Sequence, residues 1–176
     1  FSMTTSLDLS KLCLMDALDL AILIEEEARR RYELFASQIG GRGSGADAGS
    51  FFASMAENEA KHGTEILERR IALFGKVPMK VKLDDLYDVE APDVGAPRRG
   101  MSIVQAFEVG LSAEKKAYDF YDKALPGVTD PEVRALFTEL RDEETEHVEM
   151  LKAEMAKLPA SASIEIENDP DDAPFL

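Results

Sequence analysis

Four long segments of this chain repeat apolar residues every three or four positions, and a glutamate interrupts each repeat near its middle. That spacing keeps side chains on one face of an α-helix, so each segment predicts an amphipathic helix with a carboxylate inside its apolar seam. The segments cover about residues 8–39, 50–74, 102–125 and 131–158. An acid in the interior of every helix is a strong constraint, because a carboxylate is costly to bury unless it is paired.

Local signals at the segment ends support these helices. Gly75 suits the position just after a helix, and the string "SIVQ" at residues 102–105 fits a capping box. Asp130 can cap the fourth helix, and Pro131 fits its first turn.

The breaks between the segments predict the topology. Those between the first and second helices and between the third and fourth are short, which favours two antiparallel hairpins. The break at 75–100 has 26 residues. At roughly 3.3 Å per extended residue it can easily span a helix. We therefore predict an all-α four-helix bundle over residues 1–158, with 75–100 as one long crossover. Residues 159–176 are predicted to be an acidic, loosely ordered tail.

The composition excludes several classes of function. With 35 acidic and 20 basic residues the net charge is −15, which argues against nucleic-acid partners and anionic membrane surfaces. The single cysteine, Cys13, excludes an internal disulfide and a Cys-x-x-Cys metal site. No apolar run is long enough to span a membrane, and the amino end lacks the layout of a signal peptide. The expectation is a cytoplasmic protein.

The two predicted hairpins look like copies of one unit. Each carries a lone glutamate on its first helix, followed at the same spacing by alanine and tyrosine, and a Glu-x-x-His pair on its second helix. The matching residues are Glu25, Ala28, Tyr32, Phe52, Glu59 and His62 in the first hairpin, and Glu114, Ala117, Tyr121, Phe137, Glu144 and His147 in the second. Two antiparallel copies related by a two-fold axis bring the four glutamates and two histidines to one layer of the core.

Electrostatics predicts what this layer holds. Four buried carboxylates without counterions repel one another and are poorly solvated, so they must take up protons or cations. Two divalent ions balance the four charges, and two neutral imidazoles complete the ligand set. Residues three apart share a helix face, so each Glu-x-x-His pair can bind one ion. Carboxylate and imidazole ligands suit iron or manganese, and zinc less well.

These residues carry a family resemblance. The strings "EEEARRRY" (25–32), "ENEAKH" (57–62), "AEKKAYDFY" (113–121) and "EETEH" (143–147) resemble the ferritin-like di-iron carboxylate superfamily, in its rubrerythrin-like branch without a rubredoxin module. The resemblance covers about residues 10–157. It implies two iron ions, with manganese or zinc as substitutes. Its implied ligands are bridging Glu59 and Glu144, terminal Glu25 and Glu114, and one histidine for each ion, His62 and His147.

The sequence departs from that branch in two ways. Rubrerythrins usually carry a second carboxylate one turn from the third-helix glutamate, but Leu111 and Ala117 occupy these positions and Glu108 is out of register. The four cysteines of a rubredoxin module are also missing. Four further residues are candidates for supporting contacts to the ligands: Tyr32, Tyr121, Asn58 and Glu143.

Three classes of function follow from these patterns. The first is a di-iron oxidoreductase that reduces peroxide or dioxygen or oxidises Fe(II), with electrons from Fe(II) itself or from an external donor. The second is an iron storage or delivery protein without turnover, and the third is a metal-free interaction bundle. Hydroxylation of an organic substrate by the same centre also stays open. Since the chain shows no clear fifth helix, we expect a homodimer and not a ferritin cage.

Overall fold

The computed structural model describes residues 7–39, 47–82 and 89–165. These residues form an all-α bundle of four long helices without a β-strand among them. The helices are α1 (Leu14–Ile39), α2 (Ala48–Phe74), α3 (Ile103–Ala124) and α4 (Pro131–Ala156). The four predicted helices are confirmed, although the first begins later than expected because a separate 3-10 turn, Leu9–Lys11, precedes it.

The predicted helix ends are present. Ser102 and Gln105 form a reciprocal capping box, in which each side chain bonds the backbone N–H of the other residue. Asp130 accepts a hydrogen bond from the N–H of Glu132 at 2.8 Å. Gly75 ends α2 with a φ of 65°, in the left-handed region that favours glycine.

The helices form two hairpins, with α1 packed along α2 and α3 packed along α4, while α2 also contacts α3 and α1 contacts α4. The crossover between α2 and α3 joins the two hairpins, as the loop lengths predict. Two separate apolar clusters fill the bundle. The first contains Leu18, Ile24, Phe120, Phe137 and Leu140, among others. The second contains Phe35, Phe52, Met55, Phe107 and Leu151, among others.

The glutamate positions lie between these clusters. On each helix, one cluster takes residues before the central glutamate and the other takes residues after it. A polar layer therefore divides the core at mid-height, which is the arrangement that the interrupted seams predict.

A buried ion pair fixes the start of the crossover. Arg70 Nε donates to Asp19 Oδ1 at 2.7 Å, and both side chains are almost completely buried. The same guanidinium donates to the carbonyl oxygens of Gly75 and Val77. Because one cation satisfies a carboxylate and two carbonyl groups, the end of α2 and the first crossover residues are held against α1.

The sequence also predicts an acidic tail from residue 159. Within it, Ala160–Ser163 form a 3-10 turn with Ala162 buried, and this turn contacts α3. Glu165 pairs with Arg98 of the crossover at 2.6 Å. The remainder of the predicted tail, 166–176, lies outside the described residues.

Candidate metal centre

The polar layer brings together all six residues that the sequence predicts as ligands. Glu25, Glu59, Glu114 and Glu144 are each at least 95% buried. The two histidines are less enclosed, and the side chain of His147 is 19% exposed. The imidazole rings of His62 and His147 lie face to face, with centroids 4.6 Å apart and planes 2° from parallel.

The six side chains divide into two triads, one in each hairpin. Ligand atoms of Glu25, Glu59 and His62 lie within 4.8 Å of one another, and so do those of Glu114, Glu144 and His147. In the second triad, His147 Nδ1 is 3.4 Å from Glu114 Oε2 and 3.5 Å from Glu144 Oε2. The triads correspond to the two copies of the sequence repeat, so each hairpin supplies one set of carboxylate and imidazole donors.

The hydrogen bonding of the glutamates fits a cation site. One oxygen of each of the four glutamates, Oε2, is buried without a hydrogen-bond partner among the described residues. A buried acceptor left unpaired costs roughly 1–3 kcal/mol, and more when it is charged. Four such oxygens on four different helices, all directed into one layer, provide the oxygen donors that Fe²⁺ or Mn²⁺ takes with imidazole. The donor set therefore fits two divalent ions.

A fifth carboxylate, which the sequence analysis missed, also reaches the layer. Glu90 lies in the crossover, is 1% exposed, and forms a third group of possible ligands with Glu59 and Glu114. On α3, the positions one turn from Glu114 hold Leu111 and Ala117 and provide no second carboxylate. No helical period assigns a face to a crossover residue. The only local signal is that apolar Val89 and Ala91 flank the acid.

Burial raises the pKa of most of the glutamates in the polar layer. It raises the pKa of Glu25 to about 7, and it raises the pKa of Glu59, Glu90 and Glu144 well above the usual range. Repulsion between carboxylates adds to the effect, and Glu90 is the largest such contributor for both Glu59 and Glu144. Without metal, burial and mutual repulsion therefore favour the protonated form of these four carboxyl groups.

The second triad contains a partial exception to this trend. Burial acts to raise the pKa of Glu114, but contacts with His147 and Glu144 outweigh it, so this pKa is lowered. Burial acts to lower the pKa of His147, but Glu114 outweighs it and the pKa is raised. For His62, burial dominates and lowers the pKa. The 3.4 Å approach of His147 Nδ1 to Glu114 Oε2 thus favours the charged form of both groups.

The predicted supporting residues occupy different environments. Tyr32 and Tyr121 are fully buried, in the two different apolar clusters, so that one tyrosine lies on each side of the layer. The hydroxyl of Tyr32 has no hydrogen-bond partner among the described residues. Asn58 and Glu143 are exposed and line cavities that reach the histidines. Their contact with ligands stays a prediction.

Two cavities lead from the surface to the imidazoles. Residues of α2 and α4 line the first, of about 330 Å³, and its charged lining is mainly acidic: Glu65, Glu139, Glu143, Glu146 and Arg69. The second, of about 290 Å³, is lined by Met55, Met150 and Leu151 with Glu59 and Glu114, among others. Both cavities include His62 and His147. A small solute or a metal ion can therefore approach the layer from the histidine side.

Comparison with known proteins agrees with this geometry. The rubrerythrin family model matches residues 16–155, which include both triads and all four helices from α1 to α4 almost completely. This chain belongs to the rubrerythrin family. The resemblance that the four glutamate strings indicate is confirmed, and so is the ferritin-like bundle. No curated protein matches the chain.

Solved structures similar to this rubrerythrin-family chain share its fold. A conserved protein from Magnetospirillum magnetotacticum, described as uncharacterized, is 28% identical, with a TM-score of 0.62 over 84% of this chain and 97% of that one. A hypothetical protein from Pyrococcus furiosus is 23% identical, with a TM-score of 0.50 over 86% and 95%. The manganese catalase KatB from Anabaena is 14% identical, with a TM-score of 0.51 over 98% and 87%. Among the described residues of this chain, none of the helices is long and apolar enough to cross a membrane.

Proposed function

We propose that this rubrerythrin-family chain is a di-iron oxidoreductase that reduces hydrogen peroxide or dioxygen, or oxidises Fe(II), in the polar layer of the bundle. The observation that carries the proposal is the pair of Glu-Glu-His triads, buried together with unpartnered carboxylate oxygens that converge from four helices. Family membership supports the same assignment.

In the proposed function, the glutamates and histidines of the layer bind metal, and the surrounding residues control access to it. Glu25, Glu59 and His62 would hold one ion, and Glu114, Glu144 and His147 would hold the other. Glu59 and Glu144 are the carboxylates that the family resemblance implies would be shared. Two Fe(II) ions bound in this layer would supply the two electrons that reduction of peroxide to water requires. The apolar clusters above and below the layer exclude bulk water, so charges in the layer interact strongly. The two cavities that reach the histidines, of about 330 and 290 Å³, suit small reactants such as peroxide or dioxygen.

The reducing electrons come from Fe(II) itself or from an external donor protein. Manganese is the main alternative metal, because the same donors suit it and a manganese catalase shares the fold. The proposed assembly is a homodimer in the cytoplasm. Measurement of the solution mass tests the first point, since a 24-subunit particle would favour storage.

An iron uptake and delivery role is the second candidate, and the acidic cavity supports it. Four glutamates surround the approach to His62 and His147, against one arginine. Such a lining attracts Fe²⁺ from solution. In this role iron is the cargo, and it leaves the layer after oxidation.

One experiment distinguishes these functions. The protein is loaded with two equivalents of Fe(II) without oxygen, exposed to peroxide or dioxygen, and followed by absorbance; a reductant is then added and the cycle repeated. Repeated oxidation by bound iron supports the oxidoreductase. Release of Fe(III) after one cycle supports delivery. Iron that stays reduced with both oxidants refutes the oxidoreductase, and failure to retain metal leaves the interaction bundle.

A further inference from the structure

Glu90 is the most unusual carboxylate in the described part of the chain. It is the only one there with both carboxylate oxygens buried and without a hydrogen-bond partner. A glutamate with so little solvent contact and no cationic partner is unfavourable in the metal-free protein. Its position therefore requires an explanation beyond the packing of the crossover.

The neighbours of Glu90 identify its role. Its ligand atoms lie within 4.8 Å of those of Glu59 and Glu114, and these two residues belong to different triads. We propose that Glu90 is a seventh ligand of the dinuclear centre, a carboxylate that the crossover would contribute beside both triads. This inference rests on the proposed two-metal site. It also implies that the fifth carboxylate, absent from Leu111 and Ala117 on α3, comes instead from the crossover.

Burial and two hydrogen bonds fix the backbone of the crossover beside Glu90. Val89, Glu90, Ala91 and Pro92 are all buried. Lys116 Nζ of α3 donates to the carbonyl oxygen of Ala91, and Arg31 Nη1 of α1 donates to that of Pro92 at 2.7 Å. These two contacts fasten the segment 89–92, which we call the strap, to both hairpins. The cations bind backbone oxygens of the strap, so the carboxylate of Glu90 remains available to metal.

A fifth carboxylate changes the net charge of the proposed centre and therefore the ease with which its metal ions are oxidised. Two divalent ions balance four carboxylates, and a fifth leaves the centre with an excess negative charge. Because negative charge stabilises the more highly charged metal, Glu90 favours oxidation of the pair. The centre is thus expected to bind divalent ions tightly and to give up electrons more readily than it would with four carboxylates.

The test compares Glu90→Gln with Glu108→Gln. Glutamine retains the shape of Glu90 but removes its charge, and Glu108 is an exposed glutamate of α3 outside the site. Chelator-stripped protein is titrated with Mn(II) by calorimetry, and electron paramagnetic resonance reports whether the two ions are magnetically coupled. We expect two coupled ions in the wild type and in Glu108→Gln. In Glu90→Gln, the second ion should bind at least about ten-fold more weakly, and the coupling should change.

Thermal unfolding gives a second, independent readout. The rise in Tm on adding Mn(II) should be smaller in Glu90→Gln than in the wild type and in Glu108→Gln, because the metal-bound state loses one ligand. If this variant does not fold, Glu90→Ala provides the same comparison of Mn(II) binding. Unchanged affinity and coupling in the variant would overturn the inference and make Glu90 a protonated structural residue.

The outcomes also separate this inference from the proposed function. If the wild type binds two Mn(II) ions that depend on Glu90, but the iron form does not react with oxidants, the strap ligand stands and the proposed reaction fails. If the iron form reacts and Glu90→Gln binds metal normally, only the strap ligand fails. A wild type that binds no Mn(II) overturns the strap ligand and the two-metal site together.

Discussion

The stability of the metal-free protein should fall as the pH rises, which is unusual for an acidic protein over this range. The reason is that folding raises the pKa of Glu25 from its ordinary 4.5 to about 7. Between these values the folded state keeps a proton that the unfolded state has lost, so stability present at low pH is lost as the pH rises. For this residue alone the expected loss is about 3 kcal/mol between pH 4 and pH 8.

Other groups in the layer modify the size of this effect. Glu59, Glu90 and Glu144 have raised pKa values and act in the same direction. The lowered pKa of Glu114 stabilises the fold at every pH above about 4.5, so it does not oppose the trend in this window.

The two histidines act in opposite directions. His147, with a raised pKa, adds to the loss as the pH rises through that value. His62, with a lowered pKa, opposes the loss, because stability returns as the pH rises toward 6.5. The net expectation remains a decrease, since the buried carboxyl groups outnumber the one opposing imidazole.

Urea unfolding with and without metal measures the effect. With a chelator present, the free energy of unfolding should decrease by at least about 3 kcal/mol from pH 5 to pH 8. With Mn(II) at about a thousand times its Kd, stability at pH 8 should rise by about 4 kcal/mol per site, because metal binds the deprotonated ligands. Glu25→Gln serves as the matched variant and should reduce the loss of metal-free stability between pH 5 and pH 8, while the other buried carboxyl groups keep part of it. A metal-free stability that is constant or increases over this range would refute the buried carboxylate layer.

Three further predictions concern the buried ion pair, the helix packing and one proposed metal ligand. Arg70→Ala should lower the free energy of unfolding by about 3–5 kcal/mol, because it leaves the buried carboxylate of Asp19 unpaired. Replacement of both residues by apolar ones should cost much less in the same urea assay, and equal losses would contradict this reasoning. Gly110→Ala should cost about 1–3 kcal/mol, measured by thermal unfolding, because a Cβ there would lie 3.0 Å from the ring of Phe51. His62→Ala should reduce bound Mn(II) from two ions to one, as measured by elemental analysis after gel filtration.

The helices could be predicted from the sequence because their signals are local. A period of three or four residues defines the buried face, and Ser102 with Gln105 or Asp130 with Pro131 specifies a helix start within four residues. The same period placed the four helix glutamates inside. Their convergence in one layer required only that the hairpins pack antiparallel, which short loops favour.

The contacts of the crossover could not be predicted in this way. Glu90 has no helical register, and its burial depends on how the strap lies across two hairpins. The pair of Asp19 and Arg70 joins residues 51 positions apart. The internal repeat does not reveal it either, since the corresponding positions in the second hairpin hold Glu108 and Met155. Long-range contacts that occur once in the chain leave no periodic signal.

The internal repeat and the single crossover contribute differently to the symmetry of the proposed centre. The repeat supplies a nearly symmetric set of six ligands, and a symmetric centre would treat the two ions alike. The chain has only one crossover, however, and it is fastened to α1 and α3, whereas α2 and α4 line the acidic cavity that leads to the imidazoles. In the proposed centre Glu90 therefore lies on the side of the strap, and we expect reactants to approach from the side of the histidines. The expected asymmetry of access to the proposed centre therefore comes from the connection between the two hairpins and not from the repeat itself.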